Sequence, residues 1–82
     1  MKKELKFKKA SLSKNDAAAI TNAASKFKCD IQLYHNNKKV NAKSLMGVLA
    51  ISLSLRCGDE LMITAEGADE AKAIAELAEF FA

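Results

Sequence analysis

The chain has no proline, no tryptophan and only three glycines among its 82 residues. So few breakers of regular backbone argue against a loop-rich or disordered chain. Histidine occurs once, at position 35, and the two cysteines, Cys29 and Cys57, stand 28 residues apart with no C-x-x-C pair. No zinc site is expected from that set, and no cofactor. Nothing approaches the ~18 consecutive apolar residues of a membrane span. Met1-Lys2-Lys3-Glu4 leads into alternating lysines rather than an apolar run, so a secretory signal is not expected. The cysteine spacing alone allows a disulfide, but without a signal the expected setting is the cytoplasm, where thiols stay reduced.

What is present is globular: half the residues are apolar and 28% are charged. A chain of this length makes one domain, residues 1–82, and buries only a little over half of its unfolded surface. Its core is therefore expected to be one layer of helix on sheet. The net charge of +3 is unevenly spread. Residues 1–43 hold eleven lysines against Glu4, Asp16 and Asp30, a net of +8, whereas residues 44–82 hold Arg56 and Lys72 against seven acids, a net of −5. The basic half could draw an acidic partner or a nucleic acid, or the two halves could lie together and cancel. Lys2, Lys3, Lys6, Lys8, Lys9 and Lys14 have no aromatic residues interleaved for base stacking. A solvated face is expected there, not nucleic-acid binding.

Glu4-Leu5-Lys6-Phe7-Lys8 alternates with period two and predicts a strand with Leu5 and Phe7 inward. Ser13-Lys14-Asn15-Asp16 reads as a capping box opening a helix with Ala17, Ile20, Ala24 and Phe27 on one face. Cys29, Ile31 and Leu33 alternate with Asp30, Gln32 and Tyr34 as a second strand. Asn36-Asn37 makes a tight turn, and Lys39-Val40-Asn41 completes a hairpin. His35, at the strand end, reads as a plain surface histidine. Ser44 is a second N-cap, before a helix whose apolar residues Leu45, Met46, Val48, Leu49, Ile51 and Leu53 go most of the way round. Gly47 inside that helix costs ~1 kcal/mol relative to alanine and suggests close approach by something else. After an Arg56-Cys57-Gly58-Asp59 turn, Leu61, Ile63 and Ala65 mark a fourth strand. Asp69 and Glu70 then favour a last helix with Ile74, Leu77, Ala78 and Phe81 on its core face. The order β-α-β-β-α-β-α predicts an α+β, open-faced β-sandwich: a four-stranded antiparallel sheet with three helices on one face.

Several stretches then place the chain. Ala24-Ser25-Lys26-Phe27, Asp30-Ile31-Gln32-Leu33 and the run from Lys38 through Ala42-Lys43-Ser44-Leu45-Met46-Gly47-Val48 resemble the HPr phosphocarrier family of the bacterial sugar phosphotransferase system. Gly58-Asp59-Glu60 and Glu66-Gly67-Ala68-Asp69-Glu70 match that family's later turns. The resemblance covers nearly the whole chain but fails at one signature. Where the family carries a Gly-Leu/Ile-His-Ala-Arg-Pro-Ala-Ala-like segment, this chain has Ser11-Leu12-Ser13-Lys14-Asn15-Asp16-Ala17-Ala18. Ser13 falls at the phospho-histidine, Asn15 at the arginine and Asp16 at the proline. The segment between Gly47 and Gly58 also looks about two residues longer than in the family, beside the docking face.

The resemblance implies that phosphoryl transfer is lost, so no catalytic residue is expected and the chain is not read as an enzyme. It implies regulatory phosphorylation at Ser44 by an HPr-type serine kinase, with Lys39 and Lys43 nearby favouring the added charge. It implies docking through Leu45, Met46 and Leu49. The partners it suggests are that kinase, a LacI-type transcription regulator and the general phosphotransferase enzyme, as in catabolite repression. The other reading is an adaptor outside the sugar system that keeps only the fold and its apolar face.

Overall fold

A computed structural model describes residues 1–81. The elements are β1 (Lys2–Lys6), α1 (Lys14–Ser25), β2 (Asp30–His35), β3 (Lys38–Asn41), α2 (Leu45–Ser54), β4 (Glu60–Glu66) and α3 (Glu70–Ala78). The strands form one sheet in the order β1-β4-β2-β3, every pair antiparallel. Ile31, Leu33, Leu61, Ile63 and Ala65 are buried on one face, while Gln32, Tyr34, Met62 and Thr64 between them are half-buried on the other. That alternation is what a sheet covered on one side by helices requires. The α+β, open-faced architecture expected from the pattern is the one found.

The first strand lies two residues earlier than its alternation suggests. Its ladder with β4 ends at Lys6 opposite Glu60. Phe7 continues past it by exchanging two bonds with the next turn: its N–H donates to the Asp59 carbonyl and its carbonyl accepts from the Gly58 N–H, both at 2.7 Å. Phe7 is fully buried, as expected, but Leu5 on the edge strand is only half-buried. Asn36 takes φ +56°, the left-handed conformation a two-residue hairpin turn demands and asparagine tolerates.

Helix α1 buries Ala17, Ile20, Ala23 and Ala24. Phe27 lies beyond its end, after a tightened last turn in which the Lys26 and Phe27 N–H groups donate to Ala23 and Ala24. Helix α3 buries Ala73, Ile74, Leu77 and Ala78. Phe81, past its end, is fully buried and meets Phe7 edge to face at 6.4 Å between ring centroids. The close approach foreseen at Gly47 comes from within the chain: a Cβ there would stand 3.0 Å from Val40 Cβ, so glycine lets α2 sit down on β3. Gly67 is tighter still. Its φ is +151°, and a Cβ would meet Cys29 Cα at 2.7 Å.

Both cysteines are free, Cys29 in the core and Cys57 exposed. Burial pushes the Cys29 thiol up, and the Asp69 carboxylate beside it adds to the shift, so this thiol is a core residue and not a nucleophile. No described helix is long and apolar enough to cross a membrane.

Candidate functional site

Two helix N-termini carry the candidate chemistry, and they differ. At α1 the serine hydroxyl of Ser13 accepts the Asp16 N–H at 3.1 Å, while the Asp16 carboxylate accepts the Ser13 N–H at 2.9 Å. This is the reciprocal capping box the four-residue motif encodes. The Ser13 backbone N–H, and then its hydroxyl, hold the Asp16 carboxyl below the usual carboxylate range. Asp16 thus contributes stability above that range and loses it as pH falls through the lowered value. A carboxylate now sits where α1 would otherwise offer bare N–H groups to an anion. Asn15 is exposed on the first turn. Replacing Ser13 by alanine is expected to lower the unfolding free energy by about 1 kcal/mol, read from urea denaturation.

At α2 the cap is simpler. Ser44 is exposed, its backbone is extended at φ −98° and ψ 115°, and its hydroxyl accepts the Gly47 N–H at 3.3 Å. No acidic residue lies in the first turn of α2. The N-terminal N–H groups and the helix dipole there face no resident carboxylate.

The nearby lysines are placed differently from expectation. Lys43 donates its ammonium to the Phe27 carbonyl at 2.8 Å, which ties the head of the side chain toward the end of α1. Lys39 pairs across the ladder with Tyr34, on the face of the sheet away from the helices. Any stabilisation of charge at Ser44 therefore falls to the helix itself.

Beside Ser44 the surface is apolar. Met46 and Leu53 are each 81% exposed and Leu45 44%. Leu49 is half-buried and packs against the core, so it anchors the patch more than it presents it. Leu53 was outside the expected docking set. Its signal was the seven-residue step from Met46, which brings both to one face after two turns. Val48, Ile51 and Ser52 form the inward face of α2, so the nearly continuous apolar run of the sequence divides into a core stripe and an exposed stripe.

His35 departs most from expectation. It is 1% exposed, not a surface residue. The alternation of β2 puts residue 35 in phase with Ile31 and Leu33, on the core face. Its Nε2 lies 3.0 Å from Asp59 Oδ2 and its Nδ1 3.3 Å from Ser54 Oγ. Neither Ser13 nor Ser44 is a hydrogen-bond partner of this imidazole.

Comparison with known proteins agrees with the fold. The family described as "PTS HPr component phosphorylation site" matches residues 8–82. A curated relative, phosphocarrier protein HPr of Treponema pallidum (strain Nichols), is 40% identical over 73 residues, which span 89% of this chain and 81% of that protein. Among solved structures, a phosphocarrier protein HPr from Bacillus anthracis str. Ames superposes with a TM-score of 0.88 at 32% identity, covering 100% of this chain and 96% of that one. The Bacillus subtilis catabolite repression containing protein Crh superposes with a TM-score of 0.75 at 35% identity, covering 94% and 83%.

Proposed function

The chain belongs to the HPr family of the phosphotransferase system, and from that premise we propose that it is a regulatory member, phosphorylated at Ser44, that does not pass phosphate from histidine to histidine. The observation that carries the reading is the contrast between the two helix N-termini. The α1 end is closed by a serine and a carboxylate. The α2 end has an exposed serine, no acid and an apolar surface beside it.

Transfer between phospho-histidines needs an accessible imidazole that is nucleophilic near neutral pH. The single histidine of this chain is buried under α2 and engaged on both ring nitrogens. A serine hydroxyl at the α1 cap is a poor substitute, since no base accompanies it and its phosphoester would be too stable to hand on. Asp16 would repel the phosphate as well. Incubation with labelled phosphoenolpyruvate and the general phosphotransferase enzyme is expected to leave no acid-labile label on the chain. Label at that bond would overturn the non-transferring reading. Ser13→His alone is expected to recover little, because Asn15 and Asp16 remain.

On this reading the partners are an HPr-type serine kinase and a LacI-type transcription regulator, gripping Leu45, Met46 and Leu53 beside the phosphoserine. The general enzyme remains a docking partner without transfer. A second reading, an adaptor outside the sugar system, is favoured by one observation: the apolar stripe of α2 is exposed without any modification of Ser44.

A further inference from the structure

The end of α2 is tied to the rest of the fold through one chain of polar groups centred on the buried His35 ring. Asp59 Oδ2 already accepts the Arg56 backbone N–H at 3.0 Å. An ionised carboxylate only accepts, so the 3.0 Å contact with His35 is a bond donated by Nε2–H. On the other side of the ring, Nδ1 stands 3.3 Å from Ser54 Oγ, and that hydroxyl stands 3.0 Å from the Ile51 carbonyl. Three contacts therefore need three hydrogens. A neutral imidazole with its hydrogen on Nε2 brings one and the Ser54 hydroxyl a second. The hydroxyl must then choose between Ile51 and Nδ1. An imidazolium supplies the third: Nδ1–H donates to Ser54 Oγ, and the hydroxyl donates to Ile51.

We propose that Ser54, His35 and Asp59 form a proton-dependent latch that holds the C-terminal turn of α2 closed when His35 carries two ring hydrogens. The surroundings suit that cation. Ser54 ends α2, where the helix dipole places partial negative charge. Asp59 supplies the counter-charge from the turn before β4. The other charged and titratable residues on the elements that meet His35 are Lys38, its register partner on β3, Glu60 next to its β4 partner Leu61, and Arg56 and Cys57 in the turn that carries Asp59. Helix α2 itself brings none.

The Arg56 backbone N–H, and then the His35 hydrogen bond, hold the Asp59 carboxyl below the usual range. Its share of the latch is present above that range and is lost as acid protonates it. The Nδ1–H bond to Ser54 Oγ exists only while the ring carries both hydrogens, and without it the Ser54 hydroxyl must choose between Nδ1 and the Ile51 carbonyl. Because Leu53 precedes Ser54, opening the latch loosens the outer end of the exposed apolar stripe.

Two measurements on the folded protein test this. Long-range ¹H–¹⁵N correlation of the His35 ring across pH identifies which nitrogens carry hydrogen. Amide exchange of Leu55, whose N–H donates to Ile51 at 3.0 Å, reads closure of the last turn. The expected result is that Nδ1 is the nitrogen that loses its hydrogen, and that Leu55 protection then falls about fivefold, the effect of one ordinary hydrogen bond. In Ser54→Ala the fall should vanish, with the fold intact because that side chain is only half-buried. Leu55 protection that is constant through the ring titration, or a fall that persists in Ser54→Ala, overturns the latch. So does a ring that keeps its hydrogen on Nδ1.

Discussion

Incubation with ATP and an HPr-type serine kinase is expected to add one phosphate to this chain, and Ser44→Ala to abolish the gain. The acceptor is exposed, and its backbone is extended and outside the helix, so a kinase can reach it without unwinding α2. The product carries about −1.5 to −2 charge at pH 7. That charge arrives at the end of a helix whose first turn holds no acid, where the dipole contributes about 0.3–1 kcal/mol in its favour at an exposed site. At α1 the same group would lie against Asp16, so the two serine caps are not equivalent substrates. Ser44→Ala also removes a cap, at a cost of about 1 kcal/mol. Ser44→Asn, which keeps a capping oxygen but no hydroxyl, separates lost acceptor from loosened helix and should also stay unmodified. Intact mass is the measurement. No gain in the wild type, or an equal gain in Ser44→Ala, removes the regulatory reading and leaves the adaptor as the better account.

Phe81→Ala is expected to destabilise the fold by about 3–5 kcal/mol, as full truncation of a buried aromatic does. Against the ~5–15 kcal/mol total of a typical domain, that is a large fraction. The ring is fully buried although it lies past the end of α3. It meets Phe7 at 66° between ring planes, and its carbonyl accepts the Lys8 N–H at 3.2 Å. An edge-to-face pair adds about 0.5–1.5 kcal/mol beyond area burial. Neighbouring Phe80 is only half-buried, so Phe80→Ala should cost distinctly less. Urea denaturation of the two variants checks both the size and the order. A loss below about 1 kcal/mol for Phe81→Ala would mean that the core closes over the gap without it.

The elements were legible because the signals are local. Period-two alternation in β2 and β4, the capping box at Ser13 and the asparagine turn each depend on residues within a few positions of one another. The Ser44 cap was legible for the same reason. The strand order was not carried by composition or periodicity, since β1 pairs with a strand some sixty positions later, and the expectation stopped at a four-stranded antiparallel sheet. The His35 network failed on both counts. The ring was in phase with Ile31 and Leu33 and so belonged on the core face, but a lone polar residue at a strand end reads as surface. Its partners lie 19 and 24 positions away, and nothing local announces them. Lys43 misled for a similar reason: adjacent to Ser44 in sequence, its ammonium is drawn to a carbonyl 16 positions back.

The place of β4 in the sheet has a consequence for how the chain emerges from the ribosome. It is the last strand made, yet it lies between β1 and β2 and bonds to both. Until Glu60–Glu66 has left the exit tunnel, β1 has no neighbour and both edges of the β2–β3 hairpin are open. Isolated hairpins of two strands are marginal in water. The helices α1 and α2, already synthesised, have only that ribbon to cover. Assembly of the sheet therefore waits on about four fifths of the chain and then closes from the middle outward, a non-local step of the kind that sets slow folding. The first strand, with its lysines at positions 2, 3 and 6, spends that interval as a charged and soluble tail, which is protection against pairing with another nascent copy.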